Sequence, residues 1–260
     1  MRKKTVVILL TALVFIAVAV LGVSTVFRVR SAKVEAEVIS QAAMAEVEEL
    51  QNRLQEAYDK DSTFNVNDKK AKEILEDFPY FRITGFSKSY PDKIILKVTE
   101  DAEVFAMQKA DSEDYYILGA DGMILAIRSQ TENRLDGSPN VIVSGEGLNV
   151  TGEKGEKING GDNVNAMLDI CLVMAEELNG LRDNVVSVQV AKYAPEFCIV
   201  MREGVKIYIG EPTVMTQEKA NAVIEKYLSL TDAQRMKGRI AVTANEGEIL
   251  ISYSEIDFDA

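Results

Sequence analysis

The side chains best suited to chemistry in this sequence are its carboxylates. The chain has 41 aspartate and glutamate residues and no histidine. A carboxylate pair can act as general acid and base on a glycosidic bond, and candidate pairs are Asp111 with Asp114 and Glu176 with Glu177. Such pairs also arise from an acidic composition alone, as solvated surface. Because the usual general base near neutral pH and the commonest zinc ligand are both missing, the composition counts against most hydrolases.

Two further features could carry chemistry. Cys171 and Cys198 are the only cysteines, and they are either two small buried hydrophobic side chains or a disulfide, which an exported domain would permit. Gly145 and Gly147 begin a glycine-rich loop that ends near Asp162. No third glycine follows at the spacing of a nucleotide-binding motif, and no basic side chain is placed to hold a phosphate. The loop is therefore not predicted to bind a nucleotide.

An uncharged run from Thr5 to Phe27 precedes all of these residues. As a helix, its 23 residues would reach about 35 Å, enough to cross a hydrocarbon core of about 30 Å. The alternative is a cleaved secretory signal, which has a shorter apolar core of about 7 to 15 residues and a small-residue cleavage site. The length of the run favours a retained anchor. We therefore predict a single-pass membrane protein with a tail at residues 1–4 and a transmembrane helix at residues 5–27.

The charge of the remaining chain argues against nucleic acid as a partner. Residues 1–30 contain five basic and no acidic side chains, which leaves 24 basic against 41 acidic side chains, a net charge of −17. Phosphate backbones and anionic lipid surfaces are bound through lysine and arginine clusters. Protein partners are compatible with this composition.

Residues 28–100 predict a strand, two helices and two strands. The first helix begins at Ser40, a good N-cap residue, and the second ends before Pro79. Apolar residues of the first helix follow a 4-3-4-3 spacing that is typical of a coiled coil, but they cover only two heptads: Ala43, Val47, Leu50, Leu54 and Ala57. The helix therefore either pairs with a partner helix or packs against its own sheet, and the short seam favours its own sheet.

Residues 101–260 predict a second, strand-rich domain. Its pattern is a series of short strands interrupted by helices near 163–179 and 217–228, with a last strand at 248–253 after a turn at 245–247. The predicted fold class is thus α+β: a transmembrane helix, a β-α-α-β-β domain at residues 28–100 and a mixed β domain at residues 101–260.

Several short motifs resemble one family. The clearest is Thr63-Phe-Asn-Val-Asn-Asp-Lys-Lys-Ala-Lys-Glu-Ile-Leu-Glu-Asp-Phe-Pro79, followed by Tyr90-Pro-Asp-Lys-Ile-Ile-Leu-Lys-Val-Thr-Glu100 and Val104-Phe-Ala-Met107. Two more are Tyr116-Ile-Leu-Gly-Ala-Asp-Gly-Met-Ile-Leu125 and Val205-Lys-Ile-Tyr-Ile-Gly210. Together they resemble the bacterial division proteins FtsQ and DivIB over most of residues 26–253. The resemblance implies that residues 28–100 form a POTRA-like domain.

The resemblance also implies a function, and it implies that the chain is not an enzyme and holds no metal or cofactor. It predicts a membrane-anchored division scaffold with its bulk outside the cytoplasm, enriched at the septum, that binds the small coiled-coil proteins FtsL and FtsB or DivIC and acts on no small-molecule substrate. In this family the last strand is an open edge to which a partner adds a strand, which here implies partner-binding residues Glu248, Ile249, Leu250, Ile251, Ser252 and Tyr253. Alternatively, residues 256–260 cover that strand, or it lies within the sheet. A membrane-anchored enzyme or a ligand-binding module acting on the cell wall are the other hypotheses.

Overall fold

The computed structural model describes residues 10–16, 18, 22, 25–110, 112–131, 135 and 137–255. Within these residues, no helix has both the length and the apolar character needed to cross a membrane. This finding contradicts the predicted transmembrane helix at residues 5–27, and with it the predicted location as a single-pass membrane protein at the septum. The tail at residues 1–4 and several residues of the uncharged run lie outside the described residues.

The predicted fold class needs the same correction. The described chain is a mixed α/β fold that contains a nine-stranded sheet, without the transmembrane helix that the sequence predicted. It divides into two compact units, Met1–Glu100 and Asp101–Ala260.

Unit 1, Met1–Glu100, has a small sheet and two helices. In chain order its elements are β1 (Ser31–Glu37), α1 (Gln41–Tyr58), α2 (Lys69–Leu75), β2 (Phe81–Ser89) and β3 (Lys93–Glu100). The strand order is β1-β3-β2, with β1 parallel and β2 antiparallel to β3. Both β1 and β2 are therefore edges of this sheet.

Helix α1 packs on its own unit. Its start is fixed by Ser40, whose Oγ accepts a hydrogen bond of 3.1 Å from the Ala43 N–H, and by Glu100, whose Oε2 accepts the N–H groups of Ile39 and Ser40 at 2.5 and 2.9 Å. The helix contacts β1 and α2 through its buried residues Ala43, Leu50, Leu54 and Tyr58. Of the two alternatives for the heptad spacing, packing against its own sheet is therefore confirmed.

Unit 2, Asp101–Ala260, is built on the large sheet. Its strands are β4 (Phe105–Gln108), β5 (Tyr115–Leu118), β6 (Ile124–Arg128), β7 (Val141–Ser144), β8 (Val185–Val190), β9 (Glu196–Met201), β10 (Lys206–Gly210), β11 (Arg239–Asn245) and β12 (Glu248–Ser254). Its helices are α3 (Gly161–Glu177), α4 (Leu181–Asn184), α5 (Thr216–Ser229) and α6 (Asp232–Arg235). The strand order is β12-β11-β10-β9-β8-β7-β4-β5-β6.

The helices of unit 2 connect parallel strands and cover the core. Parallel neighbours cannot be joined by a tight turn, so α3 and α4 connect β7 to β8, and α5 and α6 connect β10 to β11. Helices α3 and α5 contact each other, and their apolar residues share one buried cluster with alternate residues of the strands, such as Ile207 and Ile209 of β10. The strand residues between these alternates, such as Lys206 and Tyr208, are only half-buried.

The two cysteines lie in this unit as separate thiols. Cys171 and Cys198 are both buried and are not joined by a disulfide, so the interpretation as small buried side chains is confirmed. Burial raises the pKa of the Cys171 thiol to about 12. An unfolded thiol has a pKa of about 8.5. The contribution of this group to the free energy of unfolding is therefore fully present below that pH and is lost as the pH rises towards 12.

Thiol labelling tests this arrangement. We expect a thiol-specific alkylating reagent to leave both cysteines of the folded chain unmodified for hours, even at pH 9, because Cys171 stays protonated and enclosed. The same reagent should modify both within minutes after denaturation, as judged by intact mass. Rapid modification of Cys171 in the folded chain, or a mass change on reduction alone, would contradict the assignment.

Candidate protein-binding edge

The strand predicted to bind a partner lies at the edge of the large sheet. Strand β12 pairs with β11 in one continuous antiparallel register, from Arg239 opposite Ser254 to Asn245 opposite Glu248, and it has no neighbour on its other side among the described residues. The alternative that it lies within the sheet is therefore wrong. Residues 256–260, the other alternative cover, lie outside the described residues.

The turn before β12 determines which of its backbone groups face outward. Glu246 and Gly247 have φ angles of 50° and 86°, and two consecutive positive φ angles between paired strands are typical of a type I′ hairpin turn. In such a hairpin the residues flanking the turn form a hydrogen-bonded pair, and hydrogen-bonded pairs then alternate along the ladder. Since Asn245 and Glu248 flank this turn, the N–H and C=O groups of Ile249, Ile251 and Tyr253 point to the free edge.

The side chains of β12 hold this edge in place. Ile249, Ile251 and Tyr253 are partly buried and pack against the core of unit 2, and the Tyr253 hydroxyl donates to the Gln234 carbonyl oxygen at 3.2 Å. Leu250 is 48% exposed, and Ser252 is exposed as well. The strand is thus anchored through the same three residues whose backbone groups face outward.

The edge at β1, in unit 1, is closed by two glutamines. The N–H of Ala32 donates to the Oε1 of Gln55 at 2.8 Å, and the N–H of Val34 donates to the Oε1 of Gln51 at 2.7 Å. The Nε2 of Gln51 also donates to the Ala32 carbonyl oxygen. These side chains from α1 occupy the backbone groups that a partner strand would need.

The edges at β6 and β2 are protected in other ways. At the start of β6, the N–H of Ile124 donates to the Glu156 carbonyl oxygen, and the N–H of Gly155 donates to the Ile124 carbonyl oxygen, both at 2.8 Å. The pairing of β6 with β5 also has a register shift, between Ile117 and Leu118 of β5. Strand β2 has a register shift between Ile83 and Gly85 and carries two basic residues, Arg82 and Lys88. Bulges and charged side chains both disfavour strand addition. By contrast, β12 has one charged residue, Glu248, no proline and no register shift.

Removal of the glutamine cover should open the edge at β1. We expect Gln51→Ala to lower the free energy of unfolding by about 1–3 kcal/mol, because the backbone groups of Ala32 and Val34 lose their partner. Denaturant unfolding followed by circular dichroism measures this change. Asn52→Ala is the matched control, because Asn52 is the next residue of α1 and its side chain is exposed. This substitution should change the free energy of unfolding by less than about 0.5 kcal/mol. Equal effects of the two substitutions would contradict the role of Gln51.

Among the carboxylate candidates that the structure describes, none lies in a catalytic arrangement. Glu176 and Glu177 are exposed, Asp114 is half-buried, and Asp111 lies outside the described residues. Among the residues that the structure describes, no cluster of three acids or cysteines is suited to a metal ion.

The glycine-rich loop has a packing role. A Cβ atom at Gly145 or Gly147 would collide with the carbonyl oxygen of Val190 or Ala191. Glycine is needed here because the loop runs directly against the backbone at the end of β8.

Sequence patterns missed two buried charged groups of unit 2. Lys219 is fully buried, and its Nζ donates to the carbonyl oxygens of Gly210 and Glu211, both at 2.6 Å; burial lowers its pKa. Glu103 is also fully buried and forms an ion pair of 2.7 Å with Arg128. Both types of side chain are usually solvated, so nothing in the sequence marked these positions.

Neither a comparison with models of protein families nor one with curated proteins finds a match for this chain. The likeness to FtsQ and DivIB therefore stays a prediction from the motifs, and the partner-binding role of β12 has to be argued from its geometry.

Proposed function

We propose that this chain is a non-enzymatic scaffold that captures an extended segment of another protein as an additional strand beside β12. The observation that carries the proposal is that β12, alone among the four sheet edges in the described residues, has neither a covering segment nor a bulge and carries a single charged residue, Glu248. Outward N–H and C=O groups give a partner strand main-chain hydrogen bonds, and exposed side chains give it specificity.

The energetics of such capture fit the geometry of β12. A hydrogen bond between strands contributes a net stabilisation of about 0.5–1.5 kcal/mol, and Ile249, Ile251 and Tyr253 each offer a donor and an acceptor. The side chains of these residues are already held against the core. Little conformational entropy of the scaffold is therefore lost on binding, and a rigid, preformed edge increases affinity for that reason.

The partners that we propose are the small coiled-coil division proteins of the FtsL and FtsB or DivIC type. The support for this choice is the likeness of the quoted motifs to FtsQ and DivIB. The net charge of −12 makes nucleic acid an improbable partner on electrostatic grounds. Glu176 and Glu177 are exposed and give no observation in favour of an enzyme that acts on the cell wall, or of a ligand-binding module.

Hydrogen exchange resolved to single amides tests the capture directly. In the free chain at low micromolar concentration, the outward amides of Ile249, Ile251 and Tyr253 should exchange fast, whereas those of Leu250 and Ser252 are bonded to β11 and should exchange slowly. Addition of the FtsB- or DivIC-like protein from the same cell should slow the three outward amides at least tenfold. The two inward amides serve as the internal control. If saturating partner protein leaves the outward amides unchanged, strand addition at β12 is wrong.

Depletion in cells tests the division role separately. If the chain is a division scaffold, cells depleted of it should continue to grow and should form undivided filaments. Complementation by the wild-type chain restores division in that case. Normal septation on depletion would contradict the division role and leave the binding edge to be judged by the exchange experiment.

A further inference from the structure

The exposed edge of β12 is also complementary to a second copy of itself. In an antiparallel pair, hydrogen-bonded positions must join residues whose backbone groups face each other. On β12 these are Ile249, Ile251 and Tyr253, which are spaced two residues apart. A two-fold axis through Ile251 places Ile251 opposite its own copy and Ile249 opposite the second copy's Tyr253. In this register every outward N–H and C=O on both strands has a partner, whereas a shift by two residues leaves some without one.

The side chains agree with this register. On the side that packs against the core, the opposed pairs are Ile251 with Ile251 and Ile249 with Tyr253, all of them apolar or aromatic, and such cross-strand pairs are stabilising. On the other side, Leu250 lies opposite Ser252, and Glu248 lies opposite Ser254. The only charged residue of β12 is Glu248, and it does not face a like charge. Within the strand, therefore, no two like charges lie directly opposite each other.

We propose that, without a partner, two copies of this chain pair through β12 in the antiparallel register centred on Ile251, and that a partner strand must displace the second copy. The displacement part rests on the proposed function, because both occupants use the same backbone groups. One strand per copy buries little surface, so the dimer belongs to the weak, transient class. At high local concentration the chain would thus be dimeric and unable to bind a partner strand, and at low concentration it would be monomeric and able to bind one.

A charge exchange at the two exposed positions tests the register. In the proposed dimer, residue 250 of each copy lies opposite residue 252 of the other. The variant L250K/S252K therefore places two lysines opposite each other twice, and L250K/S252E places lysine opposite glutamate twice. Both variants lose Leu250, so their comparison isolates the charges. We expect the lysine–glutamate variant to dimerise about tenfold more tightly than the lysine–lysine variant.

Sedimentation velocity of the full-length chain, from low micromolar to submillimolar concentration, provides the readout. A non-ionic detergent is present, so that the uncharged run at residues 5–27 does not associate by itself. We expect a reversible shift from monomer to dimer, and its loss in Ile251→Pro. A chain that stays monomeric throughout, or a dimer that responds to neither Ile251→Pro nor the charge exchange, would overturn the inference.

The two proposals can fail separately. The apparent dissociation constant of the partner should rise about fivefold when the chain is present at ten times the dimer dissociation constant, since only about one fifth is then monomeric. A monomeric chain whose outward amides are protected by partner protein keeps the proposed function and rejects the dimer. A dimer whose outward amides gain no protection from partner protein, even at low concentration, rejects the proposed function and keeps the dimer.

Discussion

Replacement of Ile251 by proline should weaken the capture of a partner strand about 100-fold while the sheet of unit 2 stays folded. Proline has no N–H, and the N–H of Ile251 points to the free edge, so the substitution removes a donor for the partner and none of the bonds to β11. The partner carbonyl that would have accepted this bond is left unsatisfied, which costs more than the lost bond alone. Titration of the FtsB- or DivIC-like protein against the full-length chain measures the effect.

Ile251→Ala is the matched control for this prediction. Alanine removes the side chain that packs against the core, as proline largely does, but it keeps the N–H. We expect partner binding by Ile251→Ala to stay within about fivefold of wild type, the range of a cross-strand side-chain pair. Circular dichroism and the unfolding midpoint verify that both variants are folded. If the two variants bind equally well, the partner does not add a strand at this edge.

The position of the proline decides whether the experiment tests binding or folding. Leu250 is exposed, and on that ground alone a proline at this position would be expected to damage the fold less than one at Ile251. However, the alternation set by the turn at Glu246 and Gly247 directs its N–H to Thr243 of β11. Proline at 250 would therefore remove a bond within the sheet, and any loss of binding could reflect damage to β12 itself.

Local patterns in the sequence predicted elements well wherever one face of an element is buried in its own unit. The capping residue Ser40 predicted the start of α1. The last strand, predicted at residues 248–253, is β12, Glu248–Ser254. Helix α4, with four residues, was missed because one turn is too short to show a period.

The arrangement of the sheet edges could not be predicted in the same way. Gln51 and Gln55 lie on a helix with ordinary polar neighbours, and only the parallel placement of β1 beside β3 turns their amides towards the backbone of β1. Likewise, residues 155–158 are a polar loop in the sequence, and their contacts with the start of β6 depend on chain segments that meet only in the folded unit. The family resemblance implied an open last strand but left two alternatives, a cover by residues 256–260 or a place within the sheet. The structure shows what makes the other edges different.

The predicted transmembrane helix illustrates a limit of a different kind. A run without charges over residues 5–27 satisfies the length and composition criteria for a spanning helix, yet no helix in the described part of the chain meets both of them. The inferences about β12 depend on neither result, because they are drawn within unit 2.

Glu103→Ala should destabilise unit 2 by about 3–5 kcal/mol, because it removes one member of a buried ion pair. The two oxygens of Glu103 accept hydrogen bonds of 3.1 and 2.7 Å from Nη1 and Nη2 of Arg128, and Oε2 also accepts one of 3.1 Å from Asn140. The guanidinium of Arg128 has a side-chain exposure of only 18%. Without the carboxylate it must either stay buried without this charge partner or pull the end of β6 towards solvent.

The double variant E103L/R128L separates the ion pair from simple packing. Leucine at both positions removes the charges together, and an apolar pair of similar volume in place of a buried ion pair is often close to neutral in stability. Asn140 keeps its hydrogen bond of 2.7 Å to the Thr131 carbonyl oxygen, so we expect the double variant to be about 2 kcal/mol more stable than Glu103→Ala. Urea unfolding of the three chains measures both differences. A loss below about 1 kcal/mol for Glu103→Ala would show that the ion pair contributes little to the stability of unit 2. A double variant that is no more stable than Glu103→Ala would assign the loss to packing instead of charge.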